Sequence, residues 1–389
     1  WNDRFRDTAR TFWLEDVDGG SDFGRISLQE MSTRLCGSAD LFATEPGRGA
    51  PASINFVSCH DGFTLTDLTR YRSKHNEANG ENNNDGSSVN HSANFGVEGV
   101  TDDPDVIAAR EQAAMNMIGM LLLSLGTPMM LAGDEFRNTQ DGNNNAYCQD
   151  NDITWLKWDW MYSTNKTREM RRLETVSRLV ALRKSLDLYH HEDFFTRLTQ
   201  IGLLKPSSRV QWFLPDGTTP MERDWFDLGV RSFTMRLLSN SEVDVCIVVN
   251  GTADDRTFRL PPDTHWTPKW CSAEINGRRA GHGTQVEECD LNGDTTVWTQ
   301  HVPDASETVL KMVEEVAMQR TESSTENEAD TIKFAMPVTD HAANGTSSAP
   351  RDEVSADMPD APVDDTPDTP VDDNVWTMPA LSITLMKQV

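Results

Sequence analysis

At 389 residues, with 37% hydrophobic and 25% charged residues, the chain is long enough for roughly two or three globular domains with buried cores. Its net charge of −27 disfavours nucleic acid and anionic membrane surfaces as partners. No apolar run approaches the roughly 20 residues of a membrane-spanning helix, so we expect no membrane partner.

The six cysteines form neither CxxC pairs nor clusters with histidine, so the sequence indicates no metal site and no cofactor. A structural calcium ion stays open because of the Asp- and Asn-rich loops, although no EF-hand spacing occurs. The cysteines fit free thiols in a cytoplasmic protein, with an oxidised Cys271–Cys289 pair left open. Residues 1–13 read as the middle of a domain, so we expect the chain to be part of a longer polypeptide.

Two amphipathic helices are predicted near the start of the chain. In residues 3–13 the apolar side chains recur at helical spacing, with Asp3 near the helix start. Residues 15–25 read as a loop, and residues 28–36 form a second short helix that Gly37 ends.

Residues 52–60 predict a short buried strand that ends in His60 and Asp61, and Gly62 then turns the chain. A His-Asp pair at the carboxyl end of a buried strand is typical of an active site in an α/β barrel. The alternative is that the two residues only satisfy each other and the turn.

Residues 104–125 predict a core helix with an acidic cap, a proline in its first turn and Gly126 at its end. Residues 127–133 predict a second strand, followed by Asp134 and Glu135. The two strands should be parallel neighbours bridged by this helix, and residues 166–186 add another helix.

Two polar segments, residues 74–86 and 142–151, are rich in asparagine. Structureless loops of the first segment's length are usually functional or mobile, and amide side chains suit hydroxyl-rich ligands. Trp155, Trp158 and Trp160 follow the second segment and either stack on sugars or pack in a core.

After residue 189 the pattern changes to short β-rich runs at residues 210–214, 243–250, 258–260 and 295–298, typical of an antiparallel sandwich. Residues 314–373 are acidic and poor in apolar residues, so they are predicted to be a disordered insertion. Residues 375–385 then read as one final apolar strand of the sandwich.

Several blocks in order resemble the bacterial glycogen-debranching enzymes, isoamylase-type members of the α-amylase superfamily (glycoside hydrolase family 13). The blocks are Trp1-Asn2-Asp3-Arg4-Phe5-Arg6-Asp7, His60-Asp61-Gly62-Phe63-Thr64-Leu65, and residues 74–81, 126–136 and 142–151. The resemblance implies an α/β fold, with about strands 6–8 of a (β/α)₈ barrel in residues 1–188. An antiparallel β-sandwich would occupy residues 189–389.

The implied activity is hydrolysis of α-1,6 branch linkages in glycogen or limit dextrin with retention of configuration, so branched α-glucan is the expected partner. By resemblance Asp61 is the carboxylate that stabilises the transition state. Substrate contacts are implied for one histidine, one glutamate and three asparagines: His60, Glu77, Asn79, Asn144 and Asn145.

Three departures stand against the match. The family's nucleophile and general acid correspond to positions before Trp1, so we expect this chain to be inactive alone and to need the N-terminal part of the barrel as a partner. Asp134, Glu135, Glu77 and Glu81 are poor replacements. Cys59 precedes His60, and Arg137 stands where the family commonly has glycine. The alternative function is a non-catalytic glucan-binding protein.

Overall fold

The computed structural model describes residues 1–14, 24–43, 48–190, 194, 210–238, 243–262, 265–282, 285, 287–288, 374–379 and 382–388. All of these residues belong to one structural unit. Four parts of the chain with predictions lie outside the described residues: residues 15–23 of the predicted loop at 15–25, the strand at 295–298, the acidic insertion at 314–373 and Cys289.

Both predicted N-terminal helices are confirmed. Helix α1 spans Asp3–Leu14 and α2 spans Leu28–Leu35. The Asn2 side chain accepts a hydrogen bond from the Phe5 amide at 2.9 Å, which satisfies an amide of the first turn of α1. Two single-turn helices follow, α3 at Ala39–Phe42 and α4 at Leu65–Leu68.

Both predicted long helices are confirmed; the acidic cap of the first was predicted, whereas the cap of the second was not. Helix α5 spans Pro104–Leu123 after the Asp103 cap, and α6 spans Arg168–Lys184 after the Thr167 cap. Every residue from 113 to 123 is buried, so α5 is a core helix that is enclosed on all sides. It has the length and hydropathy of a membrane span, but 72% of its apolar window is buried inside the protein.

Strands β1 (Ile54–Asn55) and β2 (Thr127–Pro128) pair in parallel, with Ile54 opposite Thr127, and α5 lies between them in the chain. This arrangement confirms the predicted neighbours. The predicted strand lengths, residues 52–60 and 127–133, are wrong, because residues 50–52 form a 3₁₀ turn and no backbone hydrogen bond among the described residues joins the two segments beyond the one from the Met129 amide to Asn55 O.

The C-terminal half contains antiparallel sheets. Its strands are β3 Val210–Phe213, β4 Ser232–Leu237, β5 Val245–Asn250, β6 Arg256–Arg259, β7 Trp266–Cys271, β8 Arg278–Arg279, β9 Gly281–His282, β10 Glu287–Glu288, β11 Val375–Met378 and β12 Ser382–Gln388. A five-stranded sheet has the order β3-β4-β5-β12-β7, and a three-stranded sheet has the order β6-β11-β9. Strand β8 pairs with β10, and helix α7 spans Glu222–Phe226.

The prediction of one final strand at residues 375–385 is wrong, because the segment forms two strands in different sheets. Strand β11 pairs with β6 and β9, whereas β12 pairs with β5 and β7. Pro379 stands between them and has no amide hydrogen, so a continuous ladder would lose a hydrogen bond there.

One hydrophobic cluster includes α1, α5 and α6 together with one face of the five-stranded sheet. Gly119 lets α5 approach closely, since a Cβ there would lie 2.7 Å from Ile383 Cγ2 and 2.9 Å from Trp270 Cη2. Phe258, Trp376 and Met386 belong to a second cluster between the two sheets. The division into domains at residue 188 stays a prediction.

Candidate functional site

The turn after β1 carries His60 and Asp61. Ser58 is buried, and the chain then emerges so that the side chains of His60 and Asp61 are 68% and 77% exposed. His60 Nε2 lies 3.3 Å from Asp61 Oδ2, and Gly62 takes φ +88° to close the turn. The structure therefore presents the pair to solvent in the segment that follows β1, five residues beyond Asn55, and not at the last residues of a strand that runs to residue 60.

An aromatic ring lies beside this pair. The Trp1 ring is 5.5 Å from the His60 ring, centroid to centroid, and 5.6 Å from the Phe56 ring. More than half of the Trp1 side chain stays exposed. An exposed indole next to a carboxylate offers both a stacking face and a charged acceptor to a polar ligand.

Asp134 holds the turn in place through hydrogen bonds to residues on both sides of it. Its carboxylate is completely buried and accepts hydrogen bonds from Ser58 Oγ and, at 3.0 Å, from the Leu65 amide. These two donors flank the turn that holds His60 and Asp61. Asp134 therefore fixes the turn and is not accessible as a nucleophile or acid.

Burial raises the pKa of the Asp134 carboxyl to about 7, against the hydrogen bonds from Ser58 and Leu65 that favour its charged form. The folded protein binds the proton on the Asp134 carboxyl more tightly than the unfolded chain does. Protonation of Asp134 therefore stabilises the fold fully at pH values below the pKa of this carboxyl in the unfolded chain, and the contribution is lost as pH rises toward about 7.

We expect Asp134→Asn to remove a pH-dependent part of stability between pH 5 and pH 7.5. In wild type, Asp134 should lower the free energy of unfolding with rising pH by at most about 1.4 kcal/mol per pH unit. Urea unfolding followed by circular dichroism measures the slope, with the exposed Asp187→Asn as control. Parallel curves for wild type and Asp134→Asn would contradict this role.

The two asparagine-rich segments are tied to each other. Asn144 is buried, and its Nδ2 donates to Ser87 O and to Asn90 Oδ1, both at 2.8 Å. Its Oδ1 accepts from Asn76 Nδ2 at 2.8 Å, so the whole side chain is engaged inside the protein. The Asn144 carbonyl accepts from the Gly62 amide at 2.9 Å, which joins this network to the His60–Asp61 turn.

A second set of contacts centres on Asp85. Its Oδ2 accepts from Asn79 Nδ2 at 2.6 Å and from Asn145 Nδ2 at 3.0 Å. The hydrogen bond from Asn79 holds the pKa of Asp85 below its ordinary value. Asn79 Oδ1 also accepts from Gln149 Nε2 at 2.8 Å, so Asn79 and Asn145 hold the two loops in place.

The structure thus brings Asn79, Asn144 and Asn145 together in one network that reaches the turn. Glu77 is exposed and, within the described part of the chain, its side chain makes no hydrogen bond or ion pair. Contact of these residues with a substrate stays a prediction. The asparagine-rich composition of the two loops indicated hydrogen bonding. The sequence did not show that the hydrogen-bond partners of these asparagines lie within the protein.

We expect Gly86→Ala to disrupt the network. Gly86 has φ +73°, and an added Cβ would overlap Asn144 Oδ1 and lie 2.6 Å from Asn76 Nδ2. The expected loss of stability is about 1–3 kcal/mol, measured by thermal unfolding. Gly80→Ala is the matched control, because Gly80 shares the positive φ of +81° but has nothing within 4 Å of the added Cβ. Equal losses in both variants would show that backbone strain alone is responsible.

A surface aromatic cluster follows the second loop. Trp155 and Trp158 are 56% and 44% exposed, and the Trp158 ring lies 4.8 Å from the Phe136 ring. The Trp160 ring lies 5.3 Å from the Phe136 ring and 6.2 Å from the Trp158 ring. Trp155 and Trp158 therefore keep faces for a ligand and are not ordinary core residues.

Within the described residues, no group of three or more His, Cys, Asp or Glu side chains is arranged to hold a metal ion. Cys271 is buried with a free thiol. Sequence reasoning missed the roles of Trp1, Ser58 and Asp134 at the turn. Only the position of Asp134 after a strand could have pointed to it.

No protein-family model matches the chain. A glycogen debranching enzyme from Pectobacterium atrosepticum is 38% identical over 293 residues, which cover 75% of this chain and 40% of that enzyme. A glycogen operon protein GlgX homolog from Mycobacterium bovis is 42% identical over 236 residues, covering 60% and 31%. A pullulanase from Anoxybacillus sp. LM18-11, solved with maltotetraose, has a TM-score of 0.43 at 18% identity, covering 74% and 32%. The chain spans 31–40% of the length of these two curated relatives.

Proposed function

We propose that this chain, a homologue of part of the bacterial glycogen-debranching enzymes, supplies one side of the catalytic cleft in an α-1,6-glucan hydrolase. The observation that carries the proposal is the exposed His60–Asp61 pair in the segment that follows β1, supported by the buried Asp134. Sequence identities of 38% and 42% to the two curated relatives support the reaction class.

In this reaction Asp61 acts as a fixed anion beside the sugar ring being cleaved. Retaining glycosidases pass through an oxocarbenium-like transition state between a nucleophile and an acid that are about 5 Å apart. A third carboxylate that faces the developing positive charge stabilises the transition state more than the bound substrate. His60, 3.3 Å from Asp61, donates to hydroxyl groups of the same sugar. The nucleophile and acid come from the barrel strands that precede this part of the enzyme.

We further propose that β1 and β2 are the seventh and eighth strands of a (β/α)₈ barrel. In the described residues these strands form a two-stranded parallel sheet, in which β2 has β1 as its neighbour. An open parallel sheet favours pairing with further strands, so the N-terminal part of the barrel is the proposed partner. The two antiparallel sheets with their shared core support a C-terminal sandwich after about residue 189.

Binding of branched α-glucan without catalysis is the second candidate function. It is favoured by the exposed ring of Trp155 and by the exposed ring of Trp158 beside Phe136, which offer apolar faces for sugar rings. The described cysteines are free thiols, which supports a cytoplasmic location for either function.

The test measures reducing-end release from a branched limit dextrin, and separately binding of that dextrin by titration, for the 389-residue chain and for a full-length protein that contains it. We expect turnover by the full-length protein and binding without turnover by the chain. Binding without turnover in both would favour the second candidate. Robust turnover by the chain would contradict the proposed division of residues, and Glu77 and Glu81 would then be the first residues to replace.

A further inference from the structure

A cavity lies among α4, α5 and the start of α6. Its volume is about 260 Å³. This is just below the roughly 300–1,000 Å³ of sites that hold drug-sized organic molecules, so it suits a compact ligand. Four arginines line it: Arg70 after α4, Arg110 on α5, Arg137 after the Asp134–Phe136 turn, and Arg168 at the start of α6.

The cavity is cationic, although the whole chain carries −27. Only two carboxylates, Asp102 and Glu111, line it against the four arginines. The charge of Glu111 is already balanced, since its Oε1 lies 2.7 Å from Arg137 Nη1 and its Oε2 lies 2.8 Å from Arg172 Nη2. Arg137 Nε also lies 3.5 Å from Glu169 Oε1. Asp102 is exposed at the rim. The positive charges of Arg70 and Arg168 are therefore the ones that the lining leaves without a paired carboxylate in the described part of the chain.

Arg70 and Arg168 are available to a ligand. Among the described residues, neither side chain makes a hydrogen bond or an ion pair. Arg70 is half-buried and faces the same cavity as Arg137. Burial first, and then the charges of Arg172 and Arg70, lower the pKa of Arg137 to about 10. An anion between these guanidinium groups would relieve their mutual repulsion.

Arg137 is held in an unfavourable backbone conformation. Its φ is +70°, in the left-handed region that favours glycine. An ordinary residue persists in such a conformation when the surrounding structure holds it there, and such positions cluster at functional sites. Here the ion pair to Glu111 keeps the guanidinium at the cavity.

The wall of the cavity is rigid. Arg110 donates to Gly99 O at 2.6 Å, to Asn94 O at 2.8 Å and to Val97 O, and these bonds fix the loop next to α5. A site that is already ordered loses little entropy when a ligand binds.

We propose that this cavity binds a small oxyanion, inorganic phosphate or a phosphate monoester, through Arg70, Arg137 and Arg168. Planar guanidinium groups pair with phosphate oxygens by two parallel hydrogen bonds, which lysine cannot match. The site is separate from the His60–Asp61 turn and does not depend on the glucan hydrolase assignment.

Isothermal titration calorimetry of the 389-residue chain with inorganic phosphate, at constant ionic strength in potassium chloride, tests the proposal. We expect one site, a Kd at least 10-fold higher in Arg70→Gln and a smaller increase in Arg168→Gln. Arg70→Lys should bind phosphate more weakly than wild type, because lysine keeps the positive charge but lacks the paired N–H donors of the planar guanidinium group. Arg72→Gln is the matched control: Arg72 is exposed, lies outside the cavity and should leave Kd unchanged.

A parallel titration with glycerol 3-phosphate separates the two sources, since tighter binding than phosphate assigns the site to a monoester and weaker binding to the free ion. Absence of saturable binding of both probes, or equal Kd values in Arg70→Gln and Arg72→Gln, would overturn the proposal. If Arg70→Gln fails to fold by circular dichroism, the exposed Arg168→Gln decides, and an unchanged Kd in that variant rejects the site.

Discussion

In a full-length debranching enzyme that contains this chain, Asp61→Asn should lower kcat by a factor on the order of 10² or more. Asparagine keeps the size of the side chain but removes the anion that we propose to face the developing positive charge. Binding of the limit dextrin should weaken less than kcat falls, because an interaction made mainly in the transition state changes kcat more than KM. Steady-state release of reducing ends measures both constants.

Asp187→Asn is the control for this substitution, because Asp187 is exposed in a short turn after α6 and makes the same change of charge. It should leave kcat and KM unchanged. If Asp61→Asn retains wild-type kcat, the role carried over to Asp61 from the family is wrong. If both variants lose activity equally, a general effect of net charge explains the loss.

Arg172→Ala should have the largest effect on stability, about 3–5 kcal/mol, because it leaves a buried carboxylate without its main partner. Arg172 is completely buried and donates to Glu111 Oε2 from Nε at 3.1 Å and from Nη2 at 2.8 Å. Burial alone would raise the pKa of Glu111, but Arg172 and Arg137 hold it below its ordinary value. After the substitution only Arg137 would oppose the effect of burial on Glu111, and the buried carboxyl group would lose the hydrogen bonds from Arg172.

Urea unfolding followed by tryptophan fluorescence measures this loss. Arg171→Ala is the matched control on the same helix: Arg171 is only partly buried, and within the described residues its side chain makes no hydrogen bond or ion pair. Its expected change lies within about 0.5 kcal/mol. A similar small change in Arg172→Ala would show that the Glu111 pair contributes little to the fold.

The helices were predictable because their signals are local. Apolar residues at helical spacing and capping side chains such as Asp103 and Thr167 lie within a few residues of the backbone that they organise. Strand lengths were not predictable in the same way. Whether residues 56–60 pair depends on a neighbouring strand that lies elsewhere in the chain, and Pro379 divides what read as one apolar strand.

The same distinction between local and long-range signals applies to the candidate site. The sequence alone located His60 and Asp61 after a strand and the two asparagine-rich loops, because each is a contiguous pattern. It could not show that the Asp134 carboxylate hydrogen-bonds to the residues that flank the turn, or that the Asn144 side chain bonds only to groups within the protein. It also could not show that Arg70, Arg137 and Arg168 line one cavity. These residues are far apart in sequence, and burial, hydrogen-bond partners and local charge arise only when folding brings them together.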